Sequence, residues 1–559
     1  MFRKIGIVAV VLFHFVGGAL LRAEELQTAT IGVEAGIKPT TAGIEISYRL
    51  SAPVAAFRFD HSVEGDGDAQ AIPIRRDYWT IKDKGFVFDG LTLKRSDGAG
   101  FKNFTVIATP DLKDYDRVYT ALFRMDHKAY GFYTRHFIGD TETFETAFCI
   151  QYEGTCSTEI FDAAGPEIVA EGSFLLLGDF PVQKIGSISV MVSPLLPVPV
   201  AKEMLQALID NIAIYETTFG FPAPEKASVF LSYDPGNSGY RGGVAAGASV
   251  YLQLRGPMAL MEESTIQTVK EFVAHEVVHF WNGELFDSAD NASQSWLHEG
   301  GANYFAVAAT WPEGALYKKA SEWLAGCQKF RTDKPLDGSA GQVAGQAPYQ
   351  CGAFIHWLLN EDLRRISDNQ IDVGRVWKTM FQRASKNGDN EYSAKMFEET
   401  VFALGGKTAW QTVQPILIET DKKRWLDLAD TLAKFGYRTE AKKAEDFSAF
   451  DLMGPVFFGF LNAECGGGPF SFYFNIDHLK FENDHRCGAM SGDFIVRTLD
   501  GINIFSEPAR AFHQVQQACI DKLDVVFSDF VGGKSISVKC KAEPPMLPKR
   551  YKLIHLAAD

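Results

Sequence analysis

Two short segments constrain this chain more than anything else in it: AHEVVHFWNGELF, from Ala274 to Phe286, and WLHEGGANYF, from Trp296 to Phe305. In the first, His275 and His279 stand four residues apart with Glu276 between them. Residues four apart share one face of a helix, so both imidazoles can reach a single ion while Glu276 projects beside them. Glu299, in the second segment, is a carboxylate of the kind that joins two histidines around zinc. To reach the same ion it must come from a second helix packed against the first. The pattern predicts one zinc ion per chain and fixes how two helices meet.

Zinc held by two imidazoles and a carboxylate keeps a position for water and lowers that water's pKa towards neutrality. Glu276, placed between the two histidines, is not a ligand and is free to take the water's proton and pass it to a leaving amine. Such a set suits hydrolysis of amide bonds. The developing oxyanion then needs a donor besides the metal.

The 559 residues suffice for three or four domains, and a hydrophobic fraction of 46% with 22% charged residues allows sizeable cores. The net charge of −15, with no basic stripe gathering the 55 Lys and Arg residues, argues against nucleic acid or an anionic membrane surface as partner. At the N-terminus Arg3 and Lys4 precede an apolar run from Ile5 to Leu21, with Ala23 before Glu24. This reads as a secretory leader, residues 1–23, with an uncleaved anchor as the alternative. The expected location is periplasmic or secreted, with no stable membrane insertion once the leader is removed.

Export lets nearby thiols pair. The simplest scheme for the eight cysteines is sequential: Cys149 with Cys156, Cys327 with Cys351, Cys465 with Cys487, and Cys519 with Cys540. The last four admit three arrangements, and spacing does not choose among them.

Along the chain, residues 24–196 alternate short apolar runs with Gly, Asp and Pro, as in GIEISYRL, KNFTVIAT and GSISVMVS, and read as an antiparallel β-sandwich. From residue 197 to 444 helical spacing dominates after a few strands, and the zinc segments fall here. Strand patterns return over 445–543, in GPVFFGFLNAE, FSFYFNI, GDFIVRTLDGINIF, LDVVFSD and KSISVKC, with one helix, ARAFHQVQQACI. The tail, 544–559, carries no clear element.

Set in HEVVHFWNG and WLHEGGANYF, the residues His275, Glu276, His279 and Glu299 resemble the gluzincin metallopeptidases, including the alanyl-aminopeptidase and leukotriene-hydrolase family. The resemblance implies a thermolysin-like zinc domain and a peptide or protein substrate. Residues 280–298 separate His279 from Glu299, one more than those families have, so His298 is the rival ligand. The Trp-Leu-x-Glu-Gly match sets the register on Glu299 and assigns the extra residue to the loop from Ser288 to Ser293. A Tyr-x-x-Gly segment in APYQCGAFIHWLLNED makes Tyr349 the implied donor to the oxyanion.

His-Glu-x-x-His-x-Trp-Asn, together with the C-terminal strands, is similar to the glycyl-aminopeptidase family with a C-terminal PDZ domain. GPVFFGFLNAE resembles a PDZ carboxylate-binding loop and strand, GDFIVRTLDGINI the Gly-Asp-x-Ile segment, and ARAFHQVQQACI the helix beside the groove. The implied fold is multidomain α+β: an N-terminal β-sandwich, the zinc domain with a helical C-terminal part, and a PDZ-like β domain. The same families bind substrate along a Gly-rich strand bearing a glutamate for the free amine. The matching stretch here is Gly242, Gly243, Val244, Ala245 and Ala246, with alanines where that glutamate is expected. An exported aminopeptidase-like enzyme is the leading expectation. An endopeptidase, or a peptide-binding protein using the PDZ-like groove, stands as the alternative.

Overall fold

The computed structural model describes residues 30–60, 71–111, 120–152, 155–157, 174–178, 180–225, 227–234, 241–246, 248–255, 263–289, 291–330, 335–336, 346–419, 428–467, 472–474, 478–483, 487–529, 534–540 and 543–556. The expected leader lies outside the described residues, as do the side chains of Cys149 and Cys156.

The N-terminal strands form as their alternation predicts. In Ile44–Val54, Ile44, Ile46, Tyr48 and Leu50 are buried while Ser47 and Arg49 face outward. This strand pairs antiparallel with Ile31–Pro39 and Phe101–Ala108 inside a six-stranded sheet. Two three-stranded sheets accompany it, with one helix, α1 (Ala71–Tyr78), that strand patterning did not suggest. Arg75 on α1 is fully buried, donates to the carbonyls of Asp60 and His136, and lies over the rings of Phe59 and Trp79.

Ile188–Val192, from GSISVMVS, belongs elsewhere than expected. It pairs in parallel with Ser228–Asp234, in a sheet ordered Gln183–Ile185, Ile188–Val192, Ser228–Asp234, Ser249–Arg255, Arg241–Ala246. Both faces of this sheet are covered, so its inner strands read as apolar runs and give no alternation to mark their allegiance. On one face Val229, Leu231, Val250 and Leu252 share a core with Leu208 of α2 (Val198–Phe219) and Val273 and Val277 of α3 (Glu263–His279). On the other, Met191, Phe230 and Tyr251 pack with Phe123 and Phe174 of the N-terminal strands, the Phe123 and Tyr251 rings stacked.

Beyond α3 the chain makes a π-helical turn, Phe280–Leu285, and then α4 (Asn291–Thr310), α5 (Leu316–Phe330) and α6 (Ala347–Ile366). Helices α4 and α6 cross at glycine. A Cβ on Gly300 would stand 2.3 Å from Gly352 Cα, and one on Gly352 would stand 2.1 Å from the carbonyl oxygen of Trp296. Cys327 and Cys351 form a disulfide that ties α5 to α6. Cys465–Cys487 and Cys519–Cys540 are likewise joined, so three of the four sequential pairs are present.

The C-terminal region departs from expectation at its start. GPVFFGFLNAE is the main part of the helix Ala449–Glu464, capped by Ser448, whose hydroxyl accepts from Asp451 N. Leu452, Met453, Val456, Phe457, Phe460 and Leu461 are buried at helical spacing, and that period overrides the β-branched and aromatic composition read as strand. The carboxylate-binding loop and strand expected here are thus replaced by helix. The segments GDFIV (Gly492–Val496) and ARAFHQVQQACI (helix Pro508–Ile520) take the expected forms. The tail is ordered as well: Tyr551–His555 pairs antiparallel with Tyr437–Ala441, and Leu553 N donates to Ser321 Oγ on α5.

Because the atoms facing Gly352 are backbone, they cannot rotate away from an added methyl group. Gly352→Ala should cost about 1–3 kcal/mol through overpacking. Gly459→Ala, on the helix Ala449–Glu464 with open space around it, should gain about 0.5–1 kcal/mol. Chemical denaturation midpoints of the two variants, moving in opposite directions from the parent, check this.

Candidate metal centre and active site

Helix α3 buries Val269, Val273, Val277 and Val278 and accepts a hydrogen bond at Ala274 O from Tyr215 of α2, 3.2 Å. With that face fixed against the sheet, His275, Glu276 and His279 are carried to the side that meets α4 and α6. His275 Nε2 lies 3.2 Å and His279 Nε2 3.5 Å from Glu299 Oε2, and the two Nε2 atoms are 3.3 Å apart. A tetrahedral ion with bonds of zinc length has ligand atoms roughly 3.3–3.4 Å from one another, so the three donors stand as such an ion requires. Among the described residues, this is the one group of three His, Cys, Asp or Glu side chains that could hold a metal.

The imidazole of His279 is held by Asn282. Asn282 Nδ2 donates to His298 O, 2.9 Å, which turns its Oδ1 to His279 Nδ1 at 2.8 Å. That bond keeps a proton on Nδ1, so Nε2, which faces Glu299 and bonds it while protonated, is the nitrogen left to give its lone pair to a metal. Asn282 sits in the π-turn, and Trp281 beside it is pinned by its Nε1 donating to Phe221 O, 2.9 Å.

Tyr392 closes the same network from a distant part of the chain. Its hydroxyl donates to Asn282 O, 2.8 Å, and lies 2.9 Å from His298 Nδ1, which with that proton committed acts as the donor. His298 also stacks on His279, ring centroids 4.6 Å apart. Burial, reinforced by the charge of His279, pushes its pKa down to about 4, so it is neutral. The structure thus sets the rival ligand behind His279, outside the donor cluster. Sequence reasoning missed Asn282 and Tyr392 as supports; the Trp-Asn of the motif was a signal for the first, and nothing local marks the second.

The irregularity expected between Ser288 and Ser293 appears next to that span. Asp287 and Ser288 pair with Glu391 and Tyr392, and α4 has non-helical backbone at Gln294, whose Oε1 accepts from Ala394 N, 2.6 Å. From Trp296 on the helix is regular and delivers Glu299. Burial raises the Glu299 carboxyl, yet the charge of His279 and bonds from both histidines outweigh this and hold it well below the ordinary range. Glu276 is buried beside them. Burial moves its pKa up, with His275 and His279 pulling the other way. A carboxylate in that setting can both accept and release a proton.

Tyr349, in the first turn of α6, stacks against His275, ring centroids 6.0 Å apart and planes 27° apart. The glycine of its Tyr-x-x-Gly segment is Gly352, the residue at the α4 crossing, so the spacing couples the tyrosine's position to that contact. Gly242 to Ala246 form most of Arg241–Ala246, an edge strand antiparallel to Ser249–Arg255, and among the described residues no strand pairs with its outer side. Their side chains lie outside what the structure describes.

No protein-family model matches the sequence, and no curated protein does. Among solved structures the chain is similar to an aminopeptidase N family protein from Idiomarina loihiensis, at 13% identity over 94% of this chain and 98% of that one, with a TM-score of 0.58. It also matches an M1 zinc metallopeptidase from Deinococcus radiodurans, at 13% identity over 70% of this chain and 94% of that one, TM-score 0.38. Native yeast LTA4 hydrolase matches at 14% over 76% and 75%, TM-score 0.39. The first likeness shows that the chain has the fold of an aminopeptidase N family protein nearly end to end.

If Asn282 sets the His279 tautomer, Asn282→Ala should weaken zinc binding about 10- to 100-fold while leaving the fold intact. Competition with a chromophoric chelator measures the affinity, and circular dichroism checks the fold.

Proposed function

We propose that this protein is an exported zinc metallopeptidase. The observation that carries the reading is the convergence of His275, His279 and Glu299 at tetrahedral spacing with Glu276 buried beside them. Zinc bound there would act as a Lewis acid, making a water nucleophilic at neutral pH and polarising the scissile carbonyl. Glu276 takes the proton from the attacking water and hands it to the departing amine. Tyr349 donates to the oxygen on which charge develops, and a low-polarity surround strengthens that bond. The edge strand Arg241–Ala246 pairs with an extended substrate backbone, adding it to the sheet. Export is supported by three disulfides and by the leader pattern, and no helix among the described residues is long and apolar enough to cross a membrane.

The likeness of fold to an aminopeptidase N family protein supports removal of N-terminal residues. A specific feature favours an endopeptidase as the second reading: Ala245 and Ala246 stand where an amine-binding glutamate is expected, and alanine cannot hold an ammonium group.

Glu276→Gln should retain zinc but lose about 10²–10⁴ in kcat/KM on peptide amides, and a chelator should abolish the parent activity. Hydrolysis that persists under both treatments would overturn the metallopeptidase reading. N-acetylated peptides decide the second question by mass spectrometry: acetylation that stops cleavage supports an aminopeptidase, and internal cuts in acetylated peptides support an endopeptidase.

A further inference from the structure

A cavity lies away from the candidate metal centre, at the other end of α6. It has a volume of about 630 Å³, within the range that encloses a small organic ligand. Tyr349 and Arg364 mark the two ends of α6, about 22 Å apart along a helix axis. The cavity is shaped by the C-terminal half of α6, the start of α5, the turn after the helix Leu428–Lys434, and the strand Tyr551–His555.

Its walls are aromatic. The Tyr437 ring stands 5.3 Å from Trp357, 5.3 Å from His555 and 6.1 Å from Tyr317, with Phe435 completing the lining. The ordered tail builds this wall: Leu556 N donates to Gly436 O, 2.7 Å, which sets His555 against Tyr437. The charges at the cavity are unequal. Arg365 donates twice to the buried Asp362 and is largely neutralised by it. The charges of Arg364 and Glu361, which also line the cavity, offset one another, which leaves Lys434 as the excess positive charge in a protein whose net charge is −15. Lys434 is exposed at the rim and, among the described residues, has no hydrogen-bond or ion-pair partner.

We infer that this cavity binds an organic monoanion with an aromatic body, an aryl carboxylate being the simplest form. The ring packs among Tyr317, Trp357 and Tyr437, and the carboxylate lies at Lys434. A neutral aromatic would forgo the charge, and an inorganic anion would leave the aromatic walls wet.

The test is calorimetric titration of the full chain with 3-phenylpropanoate, with its uncharged amide, and with acetate. Each is run on zinc-loaded protein and on protein stripped by a chelator, since a carboxylate could also bind the metal. The propanoate should bind in both forms, at least tenfold more tightly than the amide or acetate, and Lys434→Glu should weaken it at least tenfold. Tyr317→Ala, from the aromatic wall, should weaken it by a similar factor. Binding that vanishes with the metal, that is indifferent to both substitutions, or that is absent altogether would overturn the inference. Neither titration depends on peptide hydrolysis, so the result stands apart from the fate of the metallopeptidase reading.

Discussion

The crossing of α4 and α6 at Gly300 and Gly352 is the contact on which the candidate site depends. Helix α4 supplies Glu299, the residue before Gly300, and α6 supplies Tyr349, three residues before Gly352. With a Cβ at either glycine the axes would have to separate, since backbone atoms stand 2.1 to 2.3 Å from where it would be. Both groups would then move from the histidines of α3 together. The Glu-Gly and Tyr-x-x-Gly spacings that look like separate motif fragments in the sequence are two halves of one steric requirement.

Around that crossing the protein spends several long-range contacts on orienting a few side chains. Asn282 fixes His279, Tyr392 fixes Asn282 through its backbone carbonyl, and His298 is placed behind both. His275 has no equivalent partner at Nδ1 among the described residues, and its ring rests against Tyr349 instead. The two histidines are therefore held by different means: one by a hydrogen-bonded tautomer, the other by packing from α6. Disturbing α6 therefore acts on His275 and Tyr349 at once, whereas disturbing the π-turn acts on His279 and the network behind it.

What could be read from the sequence follows from the range of the forces involved. The grouping of His275 with His279 is legible because a four-residue interval on a helix is a local geometry, and that of Glu299 because its flanking Trp and Gly have packing duties close by. The N-terminal strand Ile44–Val54 was legible because one face is solvated and its alternation is clean. The pairing of Ile188–Val192 with Ser228–Asp234 is not legible, because a strand covered on both faces carries no sign of its neighbours. Gly454–Glu464 was read as strand from its Val and Phe content, although the buried positions recur with a helical period. Tyr392 and the strand Tyr551–His555 owe their roles to partners 94 to 232 residues away, which no local pattern encodes.

The tail also links the C-terminal region to the helices around the candidate site. Arg550 and Lys329 of α5 both bond Asp451, at the start of the helix Ala449–Glu464. Lys552 bonds Asp446, and Leu553 docks on Ser321 of α5. Helix α5 is in turn joined by Cys327 to Cys351, two residues from Tyr349. The Lys329 and Lys552 pairs are partly exposed and worth little alone, but with Arg550, which is buried against Asp451, they fasten a strand that packs along α5. The disulfide adds a restraint of about 3 kcal/mol by limiting the unfolded chain. The C-terminal region is thus linked to the first turn of α6, which carries Tyr349, through a chain of covalent and packed contacts.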